Sequence, residues 1–175
     1  MARRRSPVLS WSGSSGLLDA VPQHADLEKQ FELERQISRR LTSLHNTVNG
    51  IRDLRSQVNG IAQRYKGSPS WAPLAPLADE LIKKITAVEE KIIQTKMKST
   101  EGDLRYPTML DEQLIYLNWS VDSTDAAPTA GQEAVFADLG AKLQEQLNAW
   151  DRILSTEISG FNGAAAKSGV VLVGK

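Results

Sequence analysis

No cysteine occurs among the 175 residues, which excludes disulfides, thiol nucleophiles and thiolate metal sites together. Stability has to come from packing. Charge of one sign is equally absent: 21 basic and 21 acidic side chains cancel. No global field therefore draws the protein to nucleic acid or to an anionic membrane. The longest apolar runs, such as residues 169–173, fall far short of the roughly 18 to 20 residues that a membrane span requires. Histidine is scarce too. His24 and His45 are the only two, and neither stands in a Glu-x-x-His or His-Glu-x-x-His arrangement that would present metal ligands from one helical face. Phosphate-binding Gly-x-x-x-x-Gly-Lys, dinucleotide-binding Gly-x-Gly-x-x-Gly and the Gly-x-Ser-x-Gly nucleophile elbow are all missing. The expectation is a chain with no catalytic residue, no cofactor and no metal.

Length bounds what remains. A chain of 175 residues builds one domain with a hydrophobic core and is too short for two comfortable ones. Its start, MARRRSPVLSWSGSSGLLDAVP, places Arg3, Arg4 and Arg5 where a secretory signal carries its charges. Such a signal needs an unbroken apolar stretch of about 7 to 15 residues. Ser10, Ser12, Gly13, Ser14, Ser15 and Gly16 interrupt it, so residues 1–22 read as a flexible basic, Ser/Gly-rich arm. Three arginines without a basic fold behind them do not make a nucleic-acid site.

From Asp26 the pattern becomes helical. Leu27, Phe31, Ile37, Leu41, Leu44, Val48, Ile51, Val58, Ala62 and Tyr65 recur mostly at steps of three and four, one stripe of a 3.6-residue helix. Asp26 is expected to cap it, and Gly50 and Gly60 mark a bend or a close helix contact. Gly67 and Pro69 end it. A second stripe runs through Leu77, Leu81, Ile85, Val88, Ile92 and Thr95, which turns Glu89, Glu90, Lys91 and Lys96 toward water. Gly102 and Pro107 break the chain again, and Thr108 with Asp111 has the spacing of a capping box before Leu110, Leu114, Leu117 and Val121. Residues 120–128 form a polar loop. Thr129 with Gln132 repeats the capping box ahead of Phe136, Leu139, Leu143, Leu147, Trp150, Leu154, Ile158 and Phe161.

These stripes predict an all-α, antiparallel up-and-down bundle of three long helices plus one short helix over residues 23–163, followed by a tail at 164–175 that either packs one short strand-like piece or frays. Connections of this length favour antiparallel neighbours. An intermolecular coiled coil is the competing use of the same stripes, disfavoured by the two glycines and the unequal helix lengths. Residues 26–66 carry net positive charge and residues 129–157 net negative charge, which suits those two helices lying side by side. The adjacent acids Glu89 and Glu90 point about 100° apart on a helix, poor geometry for sharing a catalytic proton. His45 is expected at the surface and His24 in the entry loop. Trp150 fits the fourth stripe, whereas Trp11, Trp71 and Trp119 lie in or near connections and are expected to pack over a bundle end, not to form a sugar platform.

Specific wording adds one pointer. The ordered set HNTVNGIRDLR, EEKIIQTK, YPTMLDEQL and APTAGQEAVF resembles the carboxy-terminal helical region of bacterial sortilin-like, BNR-repeat β-propeller proteins, many of them labelled glycosyl hydrolases, over residues 21–173. In the large members long propeller domains precede this region. No Ser-x-Asp-x-Gly-x-Thr-Trp repeat occurs in this chain, so a hydrolase activity would belong to a domain that is not part of it. The resemblance implies a non-catalytic helical interaction or structural module whose partner is a protein, either a β-propeller domain or a second copy of itself. It implies an envelope or secreted setting as well. The alternative it leaves open is a carbohydrate-active protein, for which Asp111 and Glu112 are the carboxylate pair to test.

Overall fold

The computed structural model describes residues 24–96 and 106–172. The arm at 1–22, with Arg3, Arg4, Arg5 and Trp11, lies outside the described residues, as do Gly102 and the last three residues of the tail. All regular structure among the described residues is helical: α1 His24–Arg64, α2 Ala75–Ile92, α3 Leu110–Asp122, and α4 Ala130–Arg152. A π turn, Ile153–Glu157, joins α4 without a break to α5, Ile158–Lys167, giving one joined helix of 38 residues. The fold is all-α, as the periodicity predicts.

Helix α1 has 41 residues and so extends about 60 Å. A helix with an apolar stripe along that length draws most of its stability from partners packed along it. Neither α2, with 18 residues, nor α3, with 13, is long enough to supply them alone. They divide the task. On the second half of α1, Arg52 and Arg55 meet Glu89, and Val58 shares a cleft with Leu81. On the first half, His45 meets Asp111 and Gln30 meets Val121. In both cases contacts climb one helix while descending the other, so α2 and α3 lie in line and share one sense. Helix α4 runs with α1, Arg40 reaching Phe136 and Gly50 facing Trp150.

The core is one continuous cluster that includes Ile37, Leu44, Ile51, Ile85, Ile92, Leu114, Leu143 and Phe161. All four expected positions of α3 are buried, but three other stripes are displaced at their ends. At the start of α1, Leu27 and Phe31 are exposed, while Gln30 and Leu33 turn inward. Gln30 has a reason to be there. Its Nε2 donates to the Val121 carbonyl at 3.0 Å, satisfying one of the acceptors that the last turn of α3 leaves open. In α2 the stripe begins at the fully buried Leu74 and Ala78, leaving Leu77 exposed; Thr95 lies beyond the helix and is also exposed.

The third displacement comes from the π turn. Ile158 N–H donates to the Ile153 carbonyl, five residues back, and the extra residue in that turn changes the phase of the stripe. Ile153 is buried and Leu154 exposed, the reverse of the simple 3.6-residue count. Ile153→Ala is therefore expected to lower unfolding free energy by about 2 to 3 kcal/mol and Leu154→Ala by less than about 0.5 kcal/mol. Urea titration followed by circular dichroism checks the order, and a larger loss at Leu154 would place the turn elsewhere.

Helix ends follow local chemistry. Gly67 closes α1 at φ +79°, a left-handed conformation that glycine adopts without a Cβ penalty, and Pro76 sits in the first turn of α2, where its missing N–H costs nothing. At α3 the cap is Met109 and not Thr108: Met109 N–H donates to Glu112 Oε2 at 2.8 Å, freeing Asp111 for another partner. Asp26 is not a cap either, since α1 already begins at His24 and Asp26 lies in its first turn. The Thr129–Gln132 box forms as expected, with Gln132 N–H donating to Thr129 Oγ1 and Thr129 N–H to Gln132 Oε1. Helix α5 continues through Asn162 and Gly163, past the expected boundary. The described part of the tail, to residue 172, packs without becoming a strand: Val170 is buried, and Val171 N–H donates to the Tyr65 hydroxyl at 3.0 Å.

Candidate interaction surface

Sharing α1 between two short helices sets the outer face of α3. Its inner positions, Leu110, Leu114, Leu117 and Val121, are consumed by the core, which turns Tyr116 and Trp119 outward. Trp119 is 62% exposed and Tyr116 46%; their rings meet edge to face with centroids 5.6 Å apart. On the α4 side a groove carries Val135, itself exposed, beside Tyr116 and Leu117. Gln132 Nε2 donates to Ser120 O at 2.9 Å, tying the start of α4 to the end of α3 and fixing that groove's floor. On the α1 side a second shallow groove contains Phe31, 66% exposed, next to Asn118 and Arg39.

Aromatic area concentrated on one exposed face is an interaction feature, because large apolar side chains left in water are normally scattered singly. The sequence expectation that Trp119 packs over a bundle end fails here. Trp119 lies within α3, on the side facing away from the core, and the end-packing role belongs to Trp71, whose ring meets Phe161 at 6.5 Å. Trp150 is in the core as expected.

Several ionisable groups near these elements are committed to structural contacts, whereas Glu34, beside Phe31, has a buried Oε1 without a hydrogen-bond partner among the described residues. Glu89, expected toward water, is only 4% exposed. It accepts from Arg52 Nε at 3.0 Å and from Arg55 Nη2 at 2.6 Å, and Arg55 also donates to Thr86 Oγ1. The correction has a cause visible only in three dimensions: α1 presents two guanidinium groups to that turn of α2, and a buried carboxylate is tolerated when so paired. Glu90 is exposed, so the adjacent acids diverge as expected. His45 is at the surface and pairs through Nε2 with Asp111 Oδ1 at 2.8 Å, while Glu112 serves the Met109 N–H. Asp111 and Glu112, the carboxylates tied to the carbohydrate-active alternative, thus have separate structural partners. His24 belongs to the first turn of α1 and not to an entry loop; its Nδ1 lies 3.2 Å from Glu28.

Among the described residues, two side chains have their acidity shifted by their surroundings. Hydrogen bonds from Arg35 and Gln36 hold the Glu32 carboxyl below the usual carboxylate range. Burial pulls the Arg40 guanidinium below its ordinary value, although an arginine stays charged throughout the physiological range. Arg40 lies across α4, donating to the Phe136 carbonyl at 3.0 Å with its guanidinium carbon 3.9 Å from the centre of the Phe136 ring. Gly140 makes room for it, since a Cβ there would overlap the guanidinium. This contact joins the basic helix α1 to the acidic helix α4 without an acidic side chain. Among the described residues no helix is long and apolar enough to cross a membrane, and no three His, Asp or Glu side chains converge as metal ligands. No protein-family model, curated protein or solved structure matches the chain.

Proposed function

We propose that the chain is a non-catalytic helical interaction module, a closed bundle in which α2 and α3 run antiparallel to the spine α1, and whose outer α3 face docks a protein partner. The observation that carries this reading is the Tyr116–Trp119 edge-to-face pair, exposed on α3, with the exposed Val135 beside Tyr116. Aromatic side chains of this kind supply most of the binding energy at interfaces, because each buries a large area with little conformational freedom to lose. The partner is a β-propeller domain, the kind that the resemblance of residues 21–173 implies.

Titration calorimetry of this chain with the β-propeller domain of a sortilin-like protein tests the proposal. One-to-one binding is expected, with Trp119→Ala weakening it roughly 30-fold, as for an interface hot spot. The same variant should leave thermal unfolding unchanged, because Trp119 contributes little to the core. Absence of binding, or binding indifferent to Trp119, contradicts the assignment. Hydrolysis of a glycoside panel that disappears in the variant Asp111→Asn/Glu112→Gln would instead establish the carbohydrate-active alternative.

A further inference from the structure

A second concavity lies away from the α3 face, where the second half of α1 meets α2 and the α4–π–α5 rod. Its volume is about 420 Å³, within the range of small-molecule sites. Val58, Ile61, Leu81, Trp150 and Phe161 form an apolar floor, and Leu172 of the tail closes one side. The π turn takes part in shaping it: by burying Ile153 it brings Leu154 to the rim. Turns of this type cost regular hydrogen bonding and recur beside binding sites.

The polar lining is confined to Asp53, Gln57 and Asn162. Asp53 and Gln57 are four residues apart and therefore share a face of α1. All three side chains are exposed at the rim, and among the described residues none of them has a hydrogen-bond or ion-pair partner, so each is free to meet a ligand. An apolar floor with one unpaired carboxylate and two amides at its edge is complementary to a molecule with an apolar body and a positively charged donor head.

We propose that this cleft binds a small cationic amphiphile, its hydrocarbon portion against Trp150 and Phe161 and its ammonium group on Asp53. The site is independent of the α3 face and of the partner assigned to it. Calorimetry with decylamine, decanol and decanoate, each below its micelle concentration, supplies the test. The full chain is expected to bind one decylamine at least tenfold more tightly than either of the others, the difference that a charge-assisted hydrogen bond gives. Asp53→Asn should bring decylamine and decanol to equal affinity. Leu154→Trp, at the exposed rim, should weaken all three with the far-ultraviolet circular dichroism unchanged. Failure of decylamine to bind, a preference that survives Asp53→Asn, affinity untouched by Leu154→Trp, or uptake of several molecules with loss of helicity would each overturn the proposal.

Discussion

Trp150→Ala is expected to remove about 3 to 5 kcal/mol of unfolding free energy, as aromatic-to-alanine changes in a packed core do. Trp150 is 8% exposed and stands where the α4 rod faces Gly50 of the spine. Gly50 makes that approach possible: a Cβ at this position would lie 3.2 Å from Trp150 Cζ2, tighter than ordinary contact. The two residues act as one device, a ring set against bare backbone, so their substitutions should not add. Gly50→Val alone should cost about 1 to 3 kcal/mol through overpacking. In the Trp150→Ala background it should cost much less, because the added methyl groups enter the space that the ring left. Denaturant titrations of the four variants give the coupling. A loss below about 1 kcal/mol for Trp150→Ala would be too small for a fully packed aromatic ring and would contradict this packing.

The second large effect concerns Glu89. Deleting both of its partners, Arg52→Ala with Arg55→Ala, is expected to cost about 3 to 5 kcal/mol, since a carboxylate would then be buried without compensation. The two arginines are unequal. Arg55 is the more buried and makes the shorter bond, with a second one to Thr86; the Arg52 side chain is mostly open to water. Arg55→Ala should therefore account for most of the loss and Arg52→Ala for about 1 kcal/mol or less, as exposed pairs do. Glu89→Met adds a control with a definite direction. Replacing the charge by an apolar side chain of similar volume leaves no buried ion, so its cost should be far smaller than that of the double arginine variant. If Glu89→Met proves the more damaging, the ion pair contributes net stability beyond compensating its own burial.

These two contacts also mark how far the sequence could be followed. The helices, their order and the α3 stripe were legible because apolar residues at helical spacing report directly on which face is buried. The Thr129–Gln132 cap was legible for a similar reason: both partners are local. What was not legible depended on a second helix. The inward place of Gln30 follows from an open carbonyl at Val121, ninety-one positions away, and the burial of Glu89 from arginines thirty-four and thirty-seven positions away. Leu154 was displaced by one added residue in a turn, a change that hydrophobic periodicity does not register. Trp119 shows the same limit for function. Its outward position on α3 was missed in favour of packing over a bundle end, and its contact with Tyr116 and the groove beside Tyr116 required the fold.

The central claim is that α1 is a spine carrying α2 and α3 in line, which is what leaves the α3 face free. The absence of native cysteine makes that claim directly measurable, because introduced thiols have no background. Two double variants suffice, His45→Cys/Asp111→Cys for α3 and Arg52→Cys/Glu89→Cys for α2, the latter removing the buried carboxylate together with a partner, each treated with a short bismaleimide and digested for mass spectrometry. Both should give an intramolecular cross-link in the monomer. If either pair stays unlinked, or links only between chains, α2 and α3 do not share the spine.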